Sequence, residues 1–395
     1  MALQDFIPPH RLLLGPGPSL VHPRVLRALS APLLGHLDPA FLGVLNDIQA
    51  LLRLVFGTDN RFTIAISGTG SAGMEASIVN LVEPGDAVAV GINGVFGTRL
   101  ASVVERCGGK VVRIEAPWGT CIEVGAVEEA LARSGPVKAM AIVHAETSTG
   151  VWQPLEEIAS LCRQHETLLV VDAVTSLGGV PVDVDRLGID VCYSGSQKCL
   201  SCPPGLSPFT MSERALAIVK QRRTPCQSWY LDMGLIAGYW ADGSRAYHHT
   251  APISMLYALR EALRLVEEEG LPARFTRHQL NSEALMAGLE TLGLIPLPPA
   301  GRRLPMLNCV TVPPHIPESD IRTQLRTRYG IEIGGGLGPL QGKVWRIGLM
   351  GESSTEAHVL TLLNALEALF IQGGWWQTPG VALQAASRIY SHVRC

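Results

Sequence analysis

The chain carries little charge: 32 lysines and arginines against 35 aspartates and glutamates in 395 residues, 17% in all, for a formal net charge of −3. So even a balance gives no electrostatic reason to expect a nucleic acid partner. It also lacks any stretch approaching the ~20 uninterrupted apolar residues of a membrane-spanning helix. Met1 to Leu14, with Asp5 and two prolines, has no long apolar run and reads as an extended arm, not a signal peptide. The ending Val393-Arg394-Cys395 is not a peroxisomal address of the Ser-Lys-Leu type. There is no internal repeat and no low-complexity segment. Nine scattered cysteines are too sparse for the framework of a small secreted domain, and the odd count agrees with reduced thiols in a cytoplasmic protein. Only Cys199 and Cys202 have C-x-x-C spacing; without a second pair or a histidine cluster, no metal is expected.

What is present is apolar material, 47% of the residues, enough for a large and a small domain. From Asn46 to Tyr193 helical patterns alternate with short apolar runs, the rhythm of a mainly parallel sheet covered by helices. The runs Phe62 to Ile66, Ala87 to Val90, Val111 to Ile114, Ala139 to Val143, Leu168 to Val171 and Val191 to Ser194 are each too short for a helix. A helix-rich stretch covers Met255 to Leu292, with Leu256, Leu259, Leu263 and Val266 on one face. Met306 to Val312, Ile331 to Ile333 and Val344 to Leu349 read as strands, and Ala357 to Ile371 as a helix. The expected division is an arm over 1–20, a large domain over 21–282 and a small α+β domain over 283–395.

The chemistry is concentrated where apolar runs end. Leu168-Leu169-Val170-Val171 ends in Asp172, and 26 positions later Lys198 closes Tyr193-Ser194-Gly195-Ser196-Gln197-Lys198. A lysine amine that condenses with a carbonyl, and an acid able to hold a pyridine nitrogen protonated, together point to pyridoxal phosphate. Separately, Asp172 could cap the next segment and Lys198 could be a solvated surface lysine. Ser67-Gly68-Thr69-Gly70-Ser71-Ala72-Gly73 reads as a strand-to-helix turn whose amides, with Thr69 and Ser71, are able to grip phosphate. Phe96 follows another strand and either stacks on a flat cofactor or fills the core. Thr147, in His144-Ala145-Glu146-Thr147-Ser148-Thr149-Gly150, is placed to touch the cofactor, whereas His144 is read as a hydrogen-bonded structural group. Arg346 lies in an otherwise apolar strand and needs a partner, either a substrate carboxylate or an internal Asp or Glu.

In order along nearly the whole chain, Leu13-Leu14-Gly15-Pro16-Gly17-Pro18-Ser19, Gly35-His36-Leu37-Asp38-Pro39, Ser67-Gly68-Thr69-Gly70, Glu146-Thr147-Ser148-Thr149-Gly150, Val171-Asp172-Ala173-Val174, Ser194-Gly195-Ser196-Gln197-Lys198, Tyr247-His248-His249-Thr250 and Arg346-Ile347-Gly348 resemble the alanine-glyoxylate and serine-glyoxylate aminotransferases of class V. The resemblance implies an α/β protein of fold type I, with a mainly parallel seven-stranded sheet between helices and a smaller C-terminal α+β domain. It implies that Lys198 holds pyridoxal phosphate and moves the substrate proton, that Asp172 pairs with the pyridine nitrogen, and that Arg346 binds the α-carboxylate. Thr69, Gly70, Ser71 and Gln197 would hold the phosphate, with Tyr247 and Thr250 reaching it from the partner subunit of a homodimer. Phe96, Thr147 and Val174 complete the cofactor site, and the turn containing Gly17 closes over the amino acid or 2-oxo acid substrate. Phe96 stands where the animal enzyme has tryptophan, and Ser71 where it has histidine. A nearby branch acts on ureidoglycine through amide side chains; here those positions look like His36 and Trp229. The cysteine desulfurases, a second class, need a mobile late cysteine, but Cys309 lies in the strand-like run Leu307-Asn308-Cys309-Val310.

Overall fold

The computed structural model describes residues 5–241 and 245–393, so Met1 to Gln4 of the arm and Arg394-Cys395 of the C-terminal ending lie outside the described residues. A seven-stranded sheet runs in the order Phe62–Ser67, Leu206–Met211, Val191–Tyr193, Leu168–Asp172, Ala139–Val143, Ala87–Ile92, Lys110–Glu115. Leu206–Met211 is antiparallel to both neighbours, and the other strands are mutually parallel. Their carboxyl ends therefore gather along one edge, where open α/β sheets assemble their sites. The central runs are buried on both faces, as Ala139–Val143 and Leu168–Asp172 show throughout their lengths.

The six expected runs are strands, with ends shifted by at most two residues. The strand Leu206–Met211 is not among them, because Pro208 and the preceding Pro203-Pro204-Gly205 argue against a central strand. Proline is tolerated there for a local reason. The carbonyl of Pro208 accepts from Ser194 N, one residue beyond the end of Val191–Tyr193, so the missing N–H falls outside the regular ladder.

The expected helical stretch from Met255 is two helices, Ile253–Glu269 and Leu271–Thr291, joined at Gly270. Leu256, Leu259, Leu263 and Val266 all face the first core, as their spacing requires. A second core forms around Leu285, Leu289, Ile347, Leu362 and Phe370, against a four-stranded sheet ordered Ile295–Pro296, Leu307–Thr311, Val344–Gly348, Gly334–Gly335. Ile331–Glu332 does not join that sheet but pairs in parallel with Leu12–Leu13, and Leu14 is buried in the second core. The arm is thus anchored to the C-terminal part of the chain just before the Gly15 to Ser19 turn. The helix Pro39–Phe56 is long and apolar enough by composition to cross a membrane. Asn46, Asp47 and Arg53 interrupt it, and its Phe41, Leu45, Ile48 and Leu52 are buried in the first core.

Candidate active site

Asp172, the last residue of its strand, is buried. Its Oδ1 accepts from Val174 N at 2.9 Å, and its Oδ2 from the hydroxyl of Tyr193 at 2.9 Å. The capping contact and a second donor are both present, yet among the described residues no cation is bonded to the carboxylate. Burial pushes this carboxyl up to about 6, against the pull of the two hydrogen bonds. A cationic N–H placed at the remaining lone pairs would relieve that penalty.

Lys198 is partly buried, and its Nζ donates to the carbonyl of Pro16. Burial lowers its ammonium to about 8, with Arg346 adding to the fall and Cys199 and Asp172 opposing it. The chain closes over it because residue 17 is glycine. Its φ is +104°, and a Cβ there would stand 2.7 Å from both Cδ and Nζ of Lys198. Ser19 N donates to Gln197 O at 3.0 Å and Ser19 Oγ to Lys198 O at 2.8 Å, fixing the turn to the lysine loop. The Gly15 to Ser19 turn is therefore packed on Lys198 itself.

Thr69 is the N-cap of the helix Gly70–Leu81, but its hydroxyl makes no capping bond, and Ser71 is exposed on the first turn. Gly70 faces Val174 and Gly195, which brings this turn beside the Asp172 and Lys198 loops. Gln197 Oε1 is buried with no hydrogen-bond partner among the described residues. Phe96 lies near the start of the helix Val95–Arg106, and the Arg99 guanidinium sits over its ring at 5.0 Å from the centroid. Thr147 is buried, and its carbonyl accepts from Arg346 Nη1 at 3.1 Å.

Arg346 is buried; its Nε donates to Gly335 O at 2.7 Å, and no ion pair with a carboxylate forms among the described residues. Its guanidinium is lowered by burial. The internal Asp or Glu weighed as a partner is therefore absent, and two backbone carbonyls orient the group instead. Tyr247 and Thr250 stand apart: both are exposed, and among the described residues no hydrogen bond or ring contact joins them to the other candidates. Tyr247 packs instead on the His36 ring, centroids 5.1 Å apart.

The Nε2 of His144 accepts from Trp152 Nε1 at 3.0 Å, and burial lowers the imidazole to about 4, while its Nδ1 has no hydrogen-bond partner among the described residues. Cys309 lies in the strand Leu307–Thr311, its thiol pushed up to about 12 by burial. Cys199 is likewise held near 12 and donates to Thr175 O. Tyr193 is given no role by the sequence, and the resemblance gives the Gly15 to Ser19 turn only the closing of the substrate site, not the contacts of Ser19 and the Pro16 carbonyl with the lysine loop. Tyr193 had a usable signal, since a tyrosine ending a buried strand needs a partner for its hydroxyl.

The residues fit pyridoxal phosphate: among the described residues they include a buried acid with no cation bonded to it, an amine lowered by burial, an N-cap hydroxyl and helix-start N–H groups free to donate, and an arginine with no carboxylate partner. The comparisons agree. The family model of class-V aminotransferases matches residues 33–348. A solved alanine–glyoxylate aminotransferase from Nostoc sp. is 50% identical with a TM-score of 0.92, covering 94% of this chain and 98% of its own. A solved ureidoglycine–glyoxylate aminotransferase from Bacillus subtilis is 41% identical with a TM-score of 0.96, covering 98% and 100%. The alanine–glyoxylate aminotransferase of Oryctolagus cuniculus is 44% identical over 365 residues, 91% of this chain and 93% of that protein.

Proposed function

The chain belongs to the class-V aminotransferases and is a pyridoxal phosphate-dependent aminotransferase, and from that premise we propose that it passes the amino group of alanine or serine to glyoxylate, yielding glycine. When bound, the cofactor supplies an electron sink for the charge left on the substrate α-carbon as its proton departs. Lys198 holds the cofactor and, when its amine is free, takes and returns that proton. An amine held near 8 keeps a neutral fraction at physiological pH, which a general base needs. Asp172, fixed by Tyr193 and Val174, presents its carboxylate to the pyridine nitrogen. Thr69, Gly70, Ser71 and Gln197 receive the phosphate, Phe96 and Thr147 the ring and its substituents, and the Gly17 turn excludes water above Lys198.

Arg346 carries the reading. A buried guanidinium oriented by two carbonyls and lacking an internal carboxylate is built to accept one from a ligand. The near-equal likeness to both kinds of relative supports ureidoglycine as a second donor. His36 and Trp229 favour the smaller donors, since neither carries an amide, and Trp229 is stacked on His248 at 4.5 Å. Tyr247 at 60%, Trp229 at 63% and Leu33 at 68% exposure support a homodimer in which a second copy covers them. The eight described cysteines, all free, support a reducing cytoplasm.

The test is the visible absorbance of the holoenzyme on addition of alanine, serine or ureidoglycine, followed by glyoxylate. A fall with alanine or serine and recovery with glyoxylate is expected. A response confined to ureidoglycine replaces the donor, and no response to any of them overturns the reading.

A further inference from the structure

Glu146 is a buried carboxylate that the roles assigned so far leave unused. It is 0% exposed, in the short strand Ala145–Glu146 beyond the carboxyl end of Ala139–Val143. Its Oε1 accepts from Ser148 N at 3.0 Å and Ser148 Oγ at 2.5 Å; its Oε2 accepts from Phe96 N at 3.1 Å and Gly97 N at 3.4 Å. It makes no ion pair among the described residues. Three of these donors are backbone N–H groups, which cannot be turned round, so both oxygens must remain acceptors.

The contact on Oε2 replaces a missing cap. The helix Val95–Arg106 begins after Gly94, which offers no capping side chain. A Cβ at Gly94 would meet Glu146 Cδ at 2.4 Å and Ser148 Oγ at 2.5 Å, so only glycine lets the carboxylate reach the first turn. An anion at a helix start is favoured by the unpaired N–H groups and by the dipole. The contact on Oε1 shapes the segment carrying Thr147, whose carbonyl orients Arg346. One carboxylate thus joins Phe96, Thr147 and, through a backbone carbonyl, Arg346.

We propose that Glu146 is a positioning residue for transamination, setting the ring-stacking Phe96 and the carboxylate-binding Arg346 in a single arrangement. This rests on the site reading above, in which Phe96 meets the cofactor and Arg346 the substrate. Glutamine is nearly isosteric but presents one acceptor and one N–H₂ group, so it must turn an N–H toward one pair of donors.

The experiment measures the pyridoxal phosphate dissociation constant, the KM for the amino donor and the unfolding temperature of cofactor-free protein for E146Q, E146D and S148A, with F96A and R346K as controls. E146Q is expected to raise both the dissociation constant and KM by about tenfold, as for a lost charged hydrogen bond. E146D, which keeps the charge, recovers part of that loss, and S148A moves both constants the same way by about threefold. A lowered unfolding temperature with both constants within about twofold of the parent reduces Glu146 to a structural cap and overturns the proposal. If E146Q does not fold, unchanged constants in S148A overturn it equally. Should F96A and R346K also leave both constants unmoved, the underlying site assignment fails instead.

Discussion

The two sides of the site are built differently. On the sheet side, Asp172 takes two hydrogen bonds and Glu146 four, from donors that are themselves buried or in the backbone. On the closing side, Lys198 rests on the single carbonyl of Pro16, and Arg346 on two carbonyls from separate segments. Burying a carboxylate in the sheet-side floor is costly unless hydrogen bonds fill its lone pairs, whereas the buried Arg346 and the partly buried Lys198 retain N–H groups for a ligand. On the proposed reading, the closing side holds the groups that would exchange an internal carbonyl for a ligand, Lys198 for the cofactor and Arg346 for the substrate carboxylate.

The sharpest way to break that contrast is to remove the exchanging amine. Lys198→Ala is expected to lower turnover by at least about 10³-fold, the scale of a lost general base, in single-turnover absorbance measurements. Arg346→Lys keeps the charge but loses the planar fork, so KM for the amino donor should rise about 10²-fold with a smaller change in kcat. Unchanged KM would remove the carboxylate from Arg346.

The floor is tested by pH. The folded carboxyl of Asp172 lies near 6 against an ordinary 3.8, so the folded protein binds the extra proton between those values. Stability of cofactor-free protein should therefore fall as pH rises through that window, with a cost of about 3 kcal/mol fully present above it. Asp172→Asn should lose this slope in urea unfolding from pH 4 to pH 7 while showing a pH-independent offset. His144 and His278, lowered to about 4 and about 3, oppose the trend but are common to both proteins, so the difference isolates Asp172. The smallest effect is at the turn: Gly17→Ala forces a Cβ into Lys198, and about a tenfold loss in kcat is expected with cofactor affinity retained, the scale of a strained backbone. Loss of the cofactor instead would make the turn part of its binding floor.

Much of this was legible because it is local. Short apolar runs ending in a polar or glycine-rich segment announce both a buried strand and the edge where its loop emerges, so Asp172, Thr147, Phe96, Thr69 and Lys198 are candidates by position in the chain. The strand Leu206–Met211 escaped because Pro208 contradicts the local rule, and only its neighbour's early end makes it tolerable. Tyr193 and Glu146 lay in plain view within their motifs without a role, since what each does depends on a partner 21 and 50 residues away.

The sequence by itself determined the fold class, the strand-end motifs and the cofactor chemistry, because periodicity and residue type along a few neighbouring positions suffice for those. Tertiary structure alone decided which polar groups meet. The choice of Thr147 O over an internal carboxylate for Arg346 spans 199 residues, and the burial of a carboxylate under a helix start requires glycine at the one place where the two backbones close on each other. Hydrogen-bond partners at such separations follow from chain closure around two cores, which no local pattern encodes.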